Sequence, residues 1–200
     1  MLSIGSGETE LRATQPWLDE LVYDPLVRRE VRVLHHELHP GPGVDVAGDL
    51  TDPAFLEHLG RLGIRSIMCC NVLEHVPEPG RIAAAIEAAV PPGGYAVVTV
   101  PSRFPYHPGP IDTMFRPGPE ELRELFSGLE VVDASEIRCE SLAAYFLRSR
   151  TKRLSLTRGV RSLRSRGPAD DAAPAIPLRD RARMALLSTA VSAVVLRASP

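Results

Sequence analysis

The sequence predicts an α/β fold with a parallel sheet, on three observations within Ile64–Pro101. Ile64–Cys70 is a short, nearly unbroken apolar run, the pattern of a strand buried on both faces. Arg81–Val90 repeats Ile and Ala at helical spacing, and Pro91-Pro92-Gly93-Gly94 ends that helix with residues unable to continue it. Tyr95–Val100 is a second apolar, β-branched run. Two such strands joined by one helix form a right-handed crossover, which requires them to be parallel.

Two hundred residues suffice for one domain with a real core. With 44% apolar and 24% charged residues, the composition is that of a soluble globular protein. The net charge of −2 conceals an asymmetry: residues 1–147 hold 11 Arg against 22 acids, whereas residues 148–200 hold 12 basic residues against 3 acids. An acidic folded body with a basic appendage is expected. Cys69, Cys70 and Cys139 offer no CxxC half-site and read as small buried hydrophobes in a reducing compartment. No basic stretch followed by an apolar run opens the chain, and no apolar segment reaches the roughly 18 residues of a membrane span, so a cytoplasmic location is expected.

In chain order, Met1–Ile4 reads as a first strand running into the turn Gly5-Ser6-Gly7-Glu8-Thr9. Glycines there let backbone approach a ligand at the carboxyl end of a central strand. Leu21–Asp24 reads as the second strand, with Asp24 at its end 19 residues after Gly5. A carboxylate in that place accepts hydrogen bonds from both hydroxyls of a ribose; a solvated acid before Pro25 is the competing account. Val44–Leu50 reads as the third strand, and Asp49, Thr51 or Asp52 as the cap of a helix over Pro53–Leu62. After the fourth strand, Cys70, Asn71, Glu74 and His75 reach the carboxyl edge of the sheet, where open α/β sheets bind ligands.

The string NVLEHVPEPGRIAAAIEAAVPPGGYAVVTVP, from Asn71 to Pro101, resembles the fourth-to-fifth-strand region of class I S-adenosylmethionine-dependent methyltransferases. The similarity is to the subgroup with a Leu-Glu-His-Val turn (types 11 and 23), and it extends over about residues 1–135. It implies a Rossmann-like, doubly wound sheet of about seven strands, mostly parallel with an antiparallel last strand, and helices on both faces. It implies S-adenosylmethionine as cofactor, with Gly5, Ser6 and Gly7 around its amino-acid and ribose portions and Asp24 on the ribose hydroxyls. Asp49 and the Leu50 backbone would meet the adenine, and Cys70 and Asn71 the methionine end. The family's acid two residues before the first glycine is Ser3 here, so Glu8 or Glu10 would have to face the cofactor's ammonium group; its third glycine is Thr9. Relatives also carry one or two helices before the first strand; either the sequence is truncated there or another segment covers that edge.

The loop Pro101–Pro119 is too rich in proline for a helix or central strand, and reads as the acceptor-binding wall. His75 is a candidate base, and His107 with Asp112 a candidate base with its orienting partner; a structural role for His75 and an Asp112–Arg116 salt bridge are the alternatives. Pro119–Phe126 follows as a helix and Leu129–Asp133 as a sixth strand, with a seventh expected near Leu142–Leu147. Residues 1–147 would thus be the methyltransferase domain. Residues 148–177 would be a basic segment and linker, and 178–200 an apolar helix packed on the domain.

The implied reaction is methyl transfer to a small-molecule acceptor, such as a hydroxyl of a sugar, lipid or secondary metabolite. No metal is expected, because the reaction requires none and no His or Cys spacing suggests one. Nucleic acid is a poor match for the acidic body, whereas the eight basic residues between Arg148 and Arg166 would suit peripheral membrane contact. A degenerate binding module is the second reading, favoured by Ser3 and Thr9. A nicotinamide-dependent Rossmann enzyme is disfavoured, since the first turn lacks GxGxxG.

Overall fold

The computed structural model describes residues 1–107, 111–141 and 188–200. Seven strands form one sheet: β1 (Leu2–Ile4), β2 (Leu34–Glu37), β3 (Val46–Ala47), β4 (Ser66–Cys70), β5 (Tyr95–Arg103), β6 (Glu130–Ser141) and β7 (Ser188–Arg197). Their spatial order is β3-β2-β1-β4-β5-β7-β6. The first five strands pair in parallel, and β7 lies antiparallel between β5 and β6. This is the expected doubly wound sheet, with helices around it.

The crossover Ile64–Pro101 folds as its pattern predicts. Asp52 caps helix α4 (Pro53–Gly60), its carboxylate accepting from the Ala54 N–H, and β4 follows. Helix α5 (Pro79–Ala89) buries Ala83, Ala85 and Ile86, and its apolar stripe joins Leu59, Ile67 and Val98 in the core. Gly93 turns the chain at a φ of 68°, a conformation that costs a side-chain-bearing residue energy. Burial alternates along β4 and β5, however, with Tyr95 and Val97 exposed, so these strands are not covered on both faces.

One strand and one helix assignment are corrected. Leu21–Asp24 is helical: α1 (Thr9–Ala13), α2 (Pro16–Leu18), a π-helical turn (Asp19–Tyr23) and α3 (Asp24–Val27) make up the connection from β1 to β2. Three apolar residues before an acid suit either state; here only Tyr23 of that run is buried, with Leu21 largely exposed. The second strand is Leu34–Glu37. The apolar C-terminal stretch is likewise a strand, not a helix, and it supplies the antiparallel seventh strand. Val194 and Leu196 are fully buried against β5, with Val98 paired to Val194 and Ala96 to Leu196. The chain end returns to the Pro-Gly-Gly turn, where Gly93 N–H donates to the Ser199 carbonyl and Ala198 N–H to that of Gly94. Helix α6 (Pro119–Glu124) contributes Leu122 to the core near β7. The expected strand at Leu142–Leu147 and the basic segment and linker over 148–177 lie outside the described residues. No helix among the described residues is long and apolar enough to cross a membrane.

Candidate functional site

The carboxyl ends of β2, β1, β4 and β5 stand side by side, so the loops that follow them form one edge. After β1, Gly5 and Gly7 have φ of 61° and 77°. The Gly5 and Ser6 N–H groups both donate to the His36 carbonyl on β2. A Cβ on Gly5 would lie 2.5 Å from Val72 Cγ2, so this glycine admits the β4 loop as its neighbour. The Ser6 hydroxyl is 3.1 Å from His35 Nδ1, and Arg12 donates to the Gly7 carbonyl at 2.6 Å.

Glu37 ends β2 and its Oε1 accepts from the Gly7 N–H. Glu37 therefore holds the strand-end position expected of Asp24, and that placement is corrected: Asp24 opens helix α3 and pairs with Arg28 at 3.7 Å. β2 itself reads Leu-His-His-Glu, and after Val31 and Val33 it holds one apolar residue before two histidines, a weak strand signal. An open cleft of about 580 Å³ is lined by Gly7, Glu8, Glu10, Glu37, Leu38 and His39. Glu8 and Glu10 thus share one concavity with the first turn. Ser3 is buried and its hydroxyl lies 3.0 Å from that of Tyr23, which stacks edge-on against His35. Burial pushes the Tyr23 phenol up from its ordinary range, so this pair carries no charge at neutral pH.

After β3, Asp49 Oδ1 accepts from both the N–H and the hydroxyl of Thr51, bonds that hold its carboxyl below the usual range, while Leu50 is buried. Asp49 and the helix cap Asp52 therefore have separate tasks. After β4, Cys70 is half-buried, its thiol pushed up by burial. Asn71 turns off the strand at a left-handed φ of 54°, which Asn tolerates better than most residues, and donates its N–H to the Thr99 carbonyl at 2.8 Å. Cys69 is buried, whereas Cys139 is exposed on β6 and departs from the buried reading.

The residues expected on the acceptor side converge. Thr113 donates twice to the Glu74 carbonyl and fastens the proline-rich loop over the turn Leu73–His75. Asp112 is enclosed; it pairs with Arg116 at 2.7 Å and accepts from the N–H groups of His107 and Met114. Burial opposes its ionisation, but those bonds prevail and hold its carboxyl below the usual range. Its Oδ2 also lies 3.0 Å from His107 Nδ1, at ion-pair rather than hydrogen-bond geometry. Asp112 thus engages both Arg116 and His107. His107 is pushed below its ordinary pKa, chiefly by burial. Its Nε2 faces His75 Nε2 at 3.4 Å, and a carboxylate oxygen of Glu74 lies 3.8 Å from the same His75 nitrogen. Glu74 is 1% exposed, and burial raises its pKa. Donor atoms of Glu74, His75 and His107 all lie within 4.8 Å of one another, a grouping able to hold a metal. The sequence reading missed it because His107 arrives from another strand's loop, 32 residues on.

No family model and no curated protein matches the chain. Solved structures do. A Bacillus halodurans C-125 protein assigned as a methyltransferase matches with a TM-score of 0.52 at 11% identity, over 100% of this chain and 92% of that one. A Galdieria sulphuraria protein assigned as a sarcosine dimethylglycine methyltransferase matches at 0.52 and 12% identity, over 99% and 77%. Phosphoethanolamine N-methyltransferase 2 of Haemonchus contortus, in complex with S-adenosylmethionine, matches at 0.52 and 10% identity over 100% of this chain and 48% of that one. Strand order, the reversed seventh strand and these likenesses agree: the chain has the fold of the class I S-adenosylmethionine-dependent methyltransferases.

Proposed function

We propose that the protein transfers a methyl group from S-adenosylmethionine to a hydroxyl oxygen of a small molecule, a sugar, lipid or secondary metabolite. The observation that carries the proposal is Glu37 facing the Gly5-Ser6-Gly7 turn at the carboxyl edge of this sheet, with His75, His107 and Asp112 gathered two strands further along. In this reading Glu37 accepts from the ribose hydroxyls. The first turn, Cys70 and Asn71 hold the methionine portion, Asp49 and Leu50 the adenine, and Glu8 or Glu10 the ammonium group. One likeness in fold holds this cofactor, which supports the choice. The cofactor brings an electrophilic methyl group, so the protein has to align the acceptor, exclude water and receive a proton. His107, with Asp112 behind it, is suited to receive that proton, since its lowered pKa keeps the ring neutral near pH 7.

Incubation with methyl-labelled cofactor and a panel of hydroxylated sugars, lipids and phenols tests the reaction. Labelled product with equimolar S-adenosylhomocysteine is expected, and its loss in Glu37→Ala at limiting cofactor. The uncharged Ser3–Tyr23 pair favours a second reading, a module that retains the fold without the chemistry. Cofactor binding without transfer to any acceptor of the panel would favour that module.

A further inference from the structure

We infer that Glu74, His75 and His107 bind a divalent first-row transition cation, with Zn²⁺ the best match to the donor set. Two imidazole nitrogens and one carboxylate oxygen are the protein ligands of an open, tetrahedral site, whereas Mg²⁺ and Ca²⁺ select oxygen donors.

The distances are close to what such an ion imposes. With bonds of about 2.0–2.2 Å, neighbouring donors around a tetrahedral ion stand roughly 3.3–3.6 Å apart. The two Nε2 atoms are already 3.4 Å apart, Glu74 Oε1 is 3.8 Å from His75 Nε2, and all three ligand atoms lie within 4.8 Å of one another, so binding draws the carboxylate inward.

Protonation makes the same point from the other side. His75 Nδ1 is bonded to the Ile111 carbonyl, which can only accept, so this nitrogen carries the proton. His107 Nδ1 faces the Asp112 carboxylate, where a lone pair would be repelled, so it too carries the proton. Both Nε2 atoms therefore present lone pairs to each other, beside a buried carboxylate. Three electron-rich atoms directed at one place, with no donor between them, are what a cation satisfies. The orphaned oxygen supports this independently: Glu74 Oε2 is buried with no hydrogen-bond partner among the described residues. Arg116, the nearby cation, is engaged by Asp112 and the Phe104 and Phe115 carbonyls. The outer contacts point the same way: the His75 Nδ1–H goes to the Ile111 carbonyl, and His107 Nδ1 lies 3.0 Å from Asp112 Oδ2 at ion-pair geometry, a carboxylate placed behind a ligating imidazole.

Three protein donors leave a coordination position open. Resting on the methyltransferase reading, that position takes the acceptor hydroxyl. With its Nε2 held by the cation, His107 is a ligand in this form and no longer the proton acceptor: the bound O–H gives its proton to solvent, the oxygen bonds to the methyl carbon, and the S–CH₃ bond breaks with its electron pair left on sulfur.

The test is titration calorimetry on the full chain, stripped of metal with a chelator and carrying Cys139→Ser to remove an exposed thiol ligand. Zn²⁺ is expected to bind one to one at micromolar Kd or tighter, and Mg²⁺ at least about 100-fold more weakly. Co²⁺ should give the visible absorption of a tetrahedral ion. Glu74→Gln and His107→Asn should each weaken Zn²⁺ binding at least tenfold, and Asp112→Asn about tenfold through the orientation of His107. His107 is partly exposed, so His107→Asn decides the question if Glu74→Gln fails to fold. Absent Zn²⁺ binding, or undiminished binding in folded His107→Asn, overturns the site. Cofactor affinity measured on the same samples separates the two readings: cofactor bound without Zn²⁺ removes only the metal, and Zn²⁺ bound without cofactor removes only the methyltransferase.

Discussion

Gly5 is fixed by a neighbour as much as by a turn, because Val72 Cγ2 fills the space its Cβ would need and its φ is 61°. Gly5→Ala should cost about 1–3 kcal/mol, read as a lower midpoint in urea, and Val72→Ala in the same chain should restore part of it. The glycine turn was legible from two glycines after a short strand, but its partner was not. Residue spacing pointed to Asp24, and only the fold brings Glu37 to Gly7. His35 and His36 offer a second residue-scale prediction. Burial lowers both pKa values; His36 bonds the Gly48 carbonyl through Nε2, and its Nδ1 is buried without a hydrogen-bond partner among the described residues. Their folded pKa values lie below the unfolded value of about 6.5, so on acidification the unfolded chain takes up protons first. The stability they contribute is present above pH ~6.5 and is lost as pH falls through the folded values. Melting temperature should drop between pH 7 and 5, less steeply in His36→Gln.

Among the elements, the crossover from β4 to β5 was readable because its signals are local: an apolar run, a helical repeat and a glycine turn, each within a few residues. β7 was not. Its residues Ala190, Ser192, Ala193, Val194 and Leu196 are buried together, so no alternation distinguishes strand from helix, and its partners lie far away in sequence. β2 was hidden for the opposite reason, being short and rich in histidine. A strand between β5 and β6 has a different consequence from a helix laid on the surface. Deleting residues 188–200 should abolish the cooperative unfolding transition, whereas a surface helix would be lost with little effect. Leu196→Ala, a fully buried truncation, should cost about 2–5 kcal/mol in urea denaturation.

For the whole molecule, fold class and parallel order followed from one stretch of sequence, while the candidate site followed only where residues near one strand end stay near in space. Gly5, Gly7, Asn71 and His75 were found that way. The meeting of Glu74 and His75 with His107 needed two loops folded onto each other. In the proposed function, the carboxyl edge of β1 and β2 holds S-adenosylmethionine. Calorimetric titration of the cofactor and of S-adenosylhomocysteine into the wild-type chain, Glu37→Ala and Asp24→Ala tests it most directly. Micromolar binding, weakened at least tenfold by Glu37→Ala and unchanged by Asp24→Ala, is the predicted result. A folded wild-type chain that binds neither compound, or one that loses binding through Asp24→Ala and keeps it in Glu37→Ala, would rule out this cofactor site.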